Sequence, residues 1–166
     1  MVVLGLDAAV NRTGWAVVEK HDGREWLVNA GTLGRCTPEM RDEFAGQWRH
    51  VSAVAIEEPF LHENVQTLLV LAANMGAWVQ AFGRHRLEAE TIKADVWQLG
   101  ILRGLIENRT KREGRKLAAQ RWAMATFGLM KPLSEDEADA AGLATWCARK
   151  RAFAARAAIP PPLPKR

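Results

Sequence analysis

The chain has 166 residues, of which 48% are hydrophobic and 25% charged, and a formal net charge of +4. This length and balance fit one ordinary globular domain with its own core. The positive charge allows a polyanionic partner without requiring one. Cys36 and Cys147 lie far apart and match no metal-ligand spacing, which excludes a cysteine-based metal site and predicts reduced thiols.

The first residues and the longest apolar run carry no targeting signal. A basic lead, an apolar core and a small-residue cleavage site are all missing at the start, so we expect no signal peptide. The apolar run LLVLAANMGAWVQAF contains Asn74 and Gln80 and is short and polar for a membrane span. We therefore expect a cytoplasmic protein that is not embedded in a membrane.

Three strands are predicted first, at residues 2–6, 14–19 and 25–33. The link HDGR carries an Asp-Gly pair, which is a strong hairpin signal, and AAVNRT is a short, turn-rich link. This spacing predicts an antiparallel meander.

Helices and two further strands follow. TPEMRDEFAGQWRH reads as a helix with Thr37 as N-cap and Pro38 in its first turn. VSAVAIEEPF is a strand covered on both faces, since it is apolar almost continuously up to Glu57. NVQTLLVLAANMGAWVQAFG is an apolar helix that ends at Gly83, and RLEAETI is a fifth strand.

The rest of the chain, residues 93–157, is predicted to be mostly helical, and IPPPLPKR to be a disordered, proline-rich tail. We expect one domain at residues 1–157 and a tail at residues 158–166. A meander followed by alternating helices and strands predicts an α/β fold with a mixed sheet and helices on its faces.

Two acidic residues, Asp7 and Glu57, each end an apolar strand. If the two strands are neighbours, the carboxylates lie together and raise each other's pKa unless a cation intervenes. Oxygen ligands of this kind suit Mg²⁺ or Mn²⁺. Either acid alone also fits a solvated turn residue.

A third acidic group lies in LSEDEADAAGLATWCARK. Ser134 and Glu137 form a capping box, so a helix begins here. Acids in a first helical turn also simply complement the helix dipole, which accounts for Glu135 and Glu137 as cap and surface charges. Asp136 and Asp139 share one helix face, and Asp139 precedes the small residues AAGLA, which should pack on the sheet.

The three motifs GLDAAVNRTGWAVVE, AIEEPF and DEADAAGLA, in this order, resemble the RuvC family of Holliday junction resolvases in the ribonuclease H-like superfamily. The resemblance covers residues 2–148 and implies a five-stranded mixed sheet flanked by helices. Gly14 matches the glycine of the family's Thr-Gly pair. Ala8 and Ala9 depart from the family, which often has Pro and then Gly or Ser at these positions.

The resemblance assigns the acidic residues to a metal site. Asp7 matches the first-strand aspartate, Glu57 the fourth-strand glutamate, and Asp136 and Asp139 the paired acids of the final helix. In the family these acids bind two divalent ions, Mg²⁺ with Mn²⁺ as a substitute, which hydrolyse a phosphodiester from positions about 4 Å apart. An alternative register places Asp139 at the earlier acid position and Gly142 at the last one.

The expected DNA contacts are one aromatic residue and a basic stretch. Phe60 matches an aromatic residue that stacks on unpaired bases near the junction centre, at about 1–3 kcal/mol per base, or it is a core residue under a loop. RGLIENRTKREGRKLAAQR holds seven Lys or Arg against two Glu, which suits phosphate contacts or a solvated helix face. Lys116 matches a family lysine near the metals and Lys93 one at the edge of the DNA path. Further phosphate contacts are expected from Lys111, Arg112 and Arg115.

The sequence thus predicts a metal-dependent endonuclease that nicks four-way DNA junctions as a homodimer, with the helix at residues 65–82 as candidate interface. A related ribonuclease H-like nuclease acting on RNA or other branched DNA is the alternative. An actin-like phosphotransferase needs a second nucleotide-binding lobe, for which the chain is too short. A junction-binding protein without catalysis is disfavoured by the intact acidic set.

Overall fold

The computed structural model describes residues 1–59, 64–106 and 111–158. These residues form five strands and five helices, in the order β1 (Val2–Ala8), β2 (Thr13–His21), β3 (Arg24–Leu33), α1 (Pro38–Gln47), β4 (Ala53–Glu58), α2 (Val65–Arg84), β5 (Ala89–Lys93), α3 (Ala94–Ile101), α4 (Arg112–Phe127) and α5 (Glu135–Ala157). The sheet has the strand order β3-β2-β1-β4-β5. β1, β2 and β3 pair antiparallel, whereas β4 is parallel to both β1 and β5. The predicted mixed sheet with its antiparallel meander is confirmed.

Local sequence signals account for the ends of several elements. Asp22 and Gly23 have φ values of 48° and 79°, as the predicted Asp-Gly hairpin turn requires. Thr37 caps α1 by accepting a hydrogen bond from the backbone of Met40, and both bonds of the capping box at Ser134 are present. Cys36 and Cys147, far apart in the sequence, are free thiols, as predicted.

β1 is longer than predicted, and this changes the setting of Asp7. Its pairing with β2 continues through Asp7, opposite Gly14, to Ala8, opposite Thr13. Asp7 therefore lies inside a paired strand and not beyond its end. The pairing with β2 fixes the backbone of this acid.

Two apolar clusters, one on each face of the sheet, form the core. The face covered by α5 presents the strand residues Val3, Ala16, Val18, Ala53, Ala55 and Ile92. The face covered by α1 and α2 presents Leu4, Leu6, Val17, Val54 and Ile56. Since side chains alternate along a strand, Asp7 and Glu57 project from the first face, toward α5.

Two glycines allow α5 to lie directly on this face. A Cβ atom at Gly5 would lie 2.1 Å from the carbonyl oxygen of Ala140 and 2.9 Å from the nitrogen of Ala144. A Cβ atom at Gly14 would lie 2.3 Å from the carbonyl oxygen of Asp136. The close approach of backbone at Gly14 thus brings the first turn of α5 to the end of β1 that carries Asp7.

A Gly5→Ala variant is expected to lose about 1–3 kcal/mol of unfolding free energy, because the added methyl group meets backbone that cannot turn away. Chemical denaturation measures the loss. Gly83→Ala is the matched control, since a Cβ atom at Gly83 of α2 meets nothing within 4 Å and alanine favours a helix. Equal stability of the two variants would contradict the tight contact between β1 and α5.

Helix α2 has its most exposed apolar residues in its first two turns and its buried residues from its middle to its C-terminal end. Trp78 and Phe82 are fully buried against the sheet, whereas Leu69 and Val70 are more than half exposed. The helix extends from Val65 to Arg84 and is, by length and composition alone, long and apolar enough to cross a membrane. The prediction that its apolar run is too short for a membrane span is therefore wrong. The core helices of soluble proteins also have this length and composition. The predicted tail at residues 158–166 lies outside the described residues, except for Ala158.

Candidate active site

The sheet register places the two strand acids side by side. Leu6 of β1 pairs with Ile56 of the parallel strand β4, so Asp7 and Glu57 follow at the same edge. Asp136 and Asp139, from the first two turns of α5, are both buried, with 8% and 9% of their surface exposed. The four acids that the sequence singles out therefore lie in one region, where α5 crosses the ends of β1 and β4.

Three of these carboxyl groups have strongly raised pKa values. Burial, followed by the charge of Asp136, raises the pKa of Asp7 to about 6. Burial and then the charge of Asp7 raise the pKa of Glu57 to about 7. Burial and the charges of Asp7 and Glu57 raise the pKa of Asp139 to about 8. The site therefore concentrates negative charge that neither water nor the protein fully compensates.

Asp136 differs from the other three acids because cations hold it. The Nε atom of Arg12 donates a hydrogen bond of 2.5 Å to Oδ2 of Asp136. The Nζ atom of Lys116 lies 3.8 Å from Oδ1 of Asp136 and 2.5 Å from Glu135. Burial tends to lower the pKa of Lys116, but the bond to Glu135 and the nearby acids raise it overall. Arg12 was missed by the sequence analysis, although a basic residue in the short link beyond Asp7 was a usable signal.

Trp97 of α3 fixes the position of Glu57 and was also missed. Its indole Nε1 donates a hydrogen bond of 2.7 Å to Oε2 of Glu57, and the ring is fully buried. The ring lies against Gly142 of α5, where a Cβ atom would come within 2.4 Å of Cζ3. Position 142 thus packs against an indole, while Asp136 and Asp139 lie with the strand acids. No local sequence pattern marks Trp97 as a partner of Glu57.

The donor chemistry of the cluster fits a hard divalent cation, since it offers carboxylate oxygens only. Three buried acids that oppose each other's ionisation also need a positive charge if all are to be ionised together. As placed, however, no three His, Cys, Asp or Glu side chains among residues 1–59, 64–106 and 111–158 converge closely enough to hold an ion. Arg12 occupies one oxygen of Asp136 in this arrangement.

Two basic residues of α4 act on the cluster. The charges of Arg112 and Lys116 both lower the pKa of Asp7 and of Glu57, although burial outweighs them. Arg112 is exposed and Lys116 half-buried. The first turns of α4 therefore place positive charge beside the acids and open to solvent.

The remaining predicted DNA contacts lie further out. Arg115 donates a hydrogen bond of 3.4 Å to Gln98 of α3. Lys111 is the exposed N-cap residue of α4, and Lys93 is exposed at the end of β5. Phe60 lies outside the described residues, so its stacking role stays a prediction.

Replacing Arg12 with glutamine is expected to strengthen Mn²⁺ binding by less than about tenfold, because an ion pair with one solvent-exposed partner contributes little but must break to free Asp136. Isothermal titration calorimetry at about pH 9, above the raised pKa values of the site, measures the affinity without a change in protonation. Arg35→Gln removes an exposed arginine outside the cluster and serves as control. Weaker binding by the Arg12 variant would show that this guanidinium does not compete with the ion.

The sheet order, with helices on both faces and acids at the contact of β1, β4 and α5, is that of a ribonuclease H-like fold. Among solved structures, RuvC of Thermus thermophilus in complex with a Holliday junction substrate superposes with a TM-score of 0.74 and 19% identity, over 93% of this chain and 96% of that one. The fowlpox virus resolvase in complex with Holliday junction DNA gives a TM-score of 0.57 and 9% identity, over 91% and 99% of the two chains. These likenesses establish the fold.

Sequence similarity narrows the class to one family. RuvC of Xanthobacter autotrophicus, a crossover junction endodeoxyribonuclease, is 30% identical over 167 residues, which cover 93% of this chain and 94% of the relative. RuvC of Rickettsia prowazekii is 29% identical over 106 residues, which span 56% of this chain and only 66% of the relative. No family model matches the chain. The chain belongs to the RuvC family of crossover junction endodeoxyribonucleases.

Proposed function

We propose that the protein is a metal-dependent endonuclease of the cytoplasm that resolves four-way DNA junctions by paired symmetric nicks. The observation that supports this most directly is that four acids from β1, β4 and α5 lie in one region at the edge of the sheet. Three of these acids have raised pKa values. Membership of the RuvC family supports phosphodiester cleavage as the reaction, and the cluster of buried acids supports their assignment as its residues.

In this proposal Asp7, Glu57, Asp136 and Asp139 hold two Mg²⁺ ions, for which Mn²⁺ can substitute. When bound, such ions supply an activated water and stabilise the leaving oxygen of a phosphodiester. Asp7 has the central place, because it is close enough to influence the pKa of both Glu57 and Asp139.

The other residues of the site position groups or supply positive charge. The indole of Trp97 holds one oxygen of Glu57 and leaves the second oxygen for a ligand. Arg112 and Lys116 bring positive charge to the open side of the cluster, where they would orient a DNA phosphate. Lys111, Arg115 and Lys93 extend this charge along the path of the DNA.

Cleavage assays with matched substrates test the proposal. A labelled four-way junction, a linear duplex, a flap and an RNA–DNA hybrid are each incubated with Mg²⁺ or with a chelator. We expect two symmetric nicks in the junction with Mg²⁺, little cleavage of the duplex, and none with the chelator. An uncut junction together with degraded RNA would favour the alternative, a related nuclease that acts on RNA. Preferential cutting of the flap would favour another branched DNA as substrate.

A homodimer is part of this proposal, because two symmetric nicks require two active sites. The first two turns of α2 are the candidate interface: Val65, Leu69 and Val70 are 60%, 57% and 51% exposed, and the one charged residue of the helix, Arg84, lies at its other end. Covering such a strip with a second copy removes apolar surface from water.

Analytical ultracentrifugation of the wild type and a Leu69→Glu variant tests the interface. We expect a dimer for the wild type and a monomer for the variant, since a charge in an apolar contact is costly. Val28→Glu is the matched control, because Val28 on β3 is 55% exposed but lies away from α2. A wild-type monomer that still makes paired nicks, or a Leu69→Glu dimer, would rule out this interface.

A further inference from the structure

A side chain from α2 binds the two residues that follow Asp7, at the end of β1 and the start of the link to β2. The Nδ2 atom of Asn74 donates hydrogen bonds to the carbonyl oxygens of Ala8, at 2.9 Å, and of Ala9, at 3.2 Å. These two residues come directly after Asp7. Each bond spans more than 60 residues of sequence, so the contact ties two distant parts of the chain together at the edge of the site.

The orientation of the Asn74 amide follows from the chemistry of its partners. Its Oδ1 atom accepts a hydrogen bond of 2.7 Å from Nη2 of Arg41, which can only donate. The two carbonyl oxygens can only accept, so the NH₂ group must face them. The guanidinium of Arg41 is itself placed over the ring of Trp78, 5.6 Å from the centroid.

Asn74 is an exception among the buried residues of α2. It is 8% exposed, and the other buried members of the helix are Trp78, Ala81 and Phe82. A buried amide is tolerated only when its hydrogen bonds are made, because desolvation without them is costly. Here the partners of the amide are the carbonyl oxygens of Ala8 and Ala9, beside Asp7, and the guanidinium of Arg41, which orients the amide. Packing alone would be served as well by an apolar side chain.

We propose that Asn74 is a positioning residue for the metal site, and that it acts by fixing the Ala8–Ala9 carbonyls so that the carboxylate of Asp7 stays aimed at α5. The inference rests on the proposed function for its catalytic consequence. Within the link, the restraints are a bond of 3.2 Å from the backbone N–H of Ala9 to the carbonyl oxygen of Asp7 and one of 3.4 Å from the hydroxyl of Thr13 to the carbonyl oxygen of Ala9. The side chain from α2 supplies the restraint from outside the link.

Asn74→Asp is the sharpest variant, because it keeps the shape and the bond to Arg41 but replaces the donor with a group that repels both carbonyls. We expect Mn²⁺ affinity and kcat for junction cleavage each to fall about 10- to 100-fold, as is typical when a residue behind a metal ligand is lost. KM for the junction is expected to stay unchanged. Hydrogen–deuterium exchange in residues 8–12 is expected to become faster.

Val51→Ala is the matched control for lost stability, because Val51 is 6% exposed in the cluster beneath α1 and α2 and lies just before the start of β4, at the opposite end of that strand from Glu57. It is expected to lower the melting temperature and to leave Mn²⁺ affinity and the kcat/KM split as in the wild type. If Asn74→Asp matches Val51→Ala in Mn²⁺ affinity and kcat, Asn74 is a packing residue and the inference is wrong. If Asn74→Asp does not fold, Arg41→Met removes the group that orients the amide and is expected to give the same changes in weaker form.

The exchange measurement separates failure of this inference from failure of the proposed function. If the wild type neither binds Mn²⁺ nor cuts a junction, the proposed function is wrong. In that case unchanged exchange in residues 8–12 of Asn74→Asp also overturns the restraint itself, and faster exchange supports it.

Discussion

An Asp7→Asn variant is expected to lose junction cleavage by more than about 100-fold and yet to unfold at a higher temperature than the wild type when no metal is present. The loss exceeds what a residue behind a metal ligand costs, because Asp7 is itself proposed as the central ligand. Junction binding without metal is expected to persist, since the basic residues on α4 are untouched. Gel-shift and cleavage assays on the same junction measure the two properties separately.

The gain in stability follows from burial. The pKa of Asp7 is raised to about 6, so at pH 8 the folded protein holds an ionised carboxylate that would be more stable in the unfolded chain. An amide removes this penalty, which we place at about 1–3 kcal/mol. For a chain of this length that corresponds to about 2–4 °C in melting temperature per kcal/mol.

Glu88→Gln makes a similar chemical change at an exposed acid outside the cluster and serves as control. It is expected to leave both cleavage and melting temperature close to the wild-type values. An Asp7→Asn protein that still cleaves would remove Asp7 from the catalytic set. A lowered melting temperature would mean that the ionised carboxylate stabilises the metal-free fold.

The fold was predictable because it follows from patterns within short segments. The Asp-Gly turn, the capping residues Thr37 and Ser134, and the unbroken apolar run before Glu57 each identify an element without knowledge of its neighbours. The meander and the alternation after it then predict a mixed sheet. That Asp7 and Glu57 lie close together was predictable for a different reason: each ends an apolar strand, and the ends of two parallel neighbouring strands lie at one edge of a sheet.

The contacts that tune the site were not predictable in this way. Arg12 reaches Asp136 across 124 residues and Trp97 reaches Glu57 across 40. The local sequence around Trp97 does not point to Glu57, and a basic residue beyond Asp7 does not by itself identify Asp136 as its partner, because each contact depends on how α3 and α5 dock on the sheet. In the sequence, Asn74 is only a polar interruption of an apolar run, whereas in the structure its side chain binds the carbonyl oxygens of Ala8 and Ala9, beside Asp7.

The second large effect is a strong dependence of metal affinity on pH. Asp7, Glu57 and Asp139 have pKa values of about 6, 7 and 8 in the folded protein, so near pH 6 the metal-free site holds about two protons. A divalent cation binds the ionised forms and displaces these protons. We expect Mn²⁺ affinity to rise about 10- to 100-fold per pH unit between pH 6 and 7, and to level off above pH 8.

Stability of the metal-free protein should change with pH in the opposite direction. The folded pKa values lie above the ordinary values, which are 3.8 for aspartate and 4.5 for glutamate. Between about pH 4 and pH 8 the folded state therefore binds more protons than the unfolded state, and its stability falls as the pH rises. The contribution of these groups is fully present below pH 4 and lost above pH 8. Saturating Mn²⁺ should remove most of this fall, since the ion replaces the protons.

Calorimetric titration with Mn²⁺ at pH 6.5, in buffers of different ionisation enthalpy, counts the protons released on binding. We expect between one and two for the wild type and fewer for Asp7→Asn, because one of the titrating groups is gone. Glu88→Gln should release the wild-type number. Binding that releases no protons, with an affinity that does not change between pH 6 and pH 8, would show that the ion lies away from these carboxylates. Proton release that falls in Asp7→Asn and not in Glu88→Gln would instead tie the ion to the acids of β1, β4 and α5.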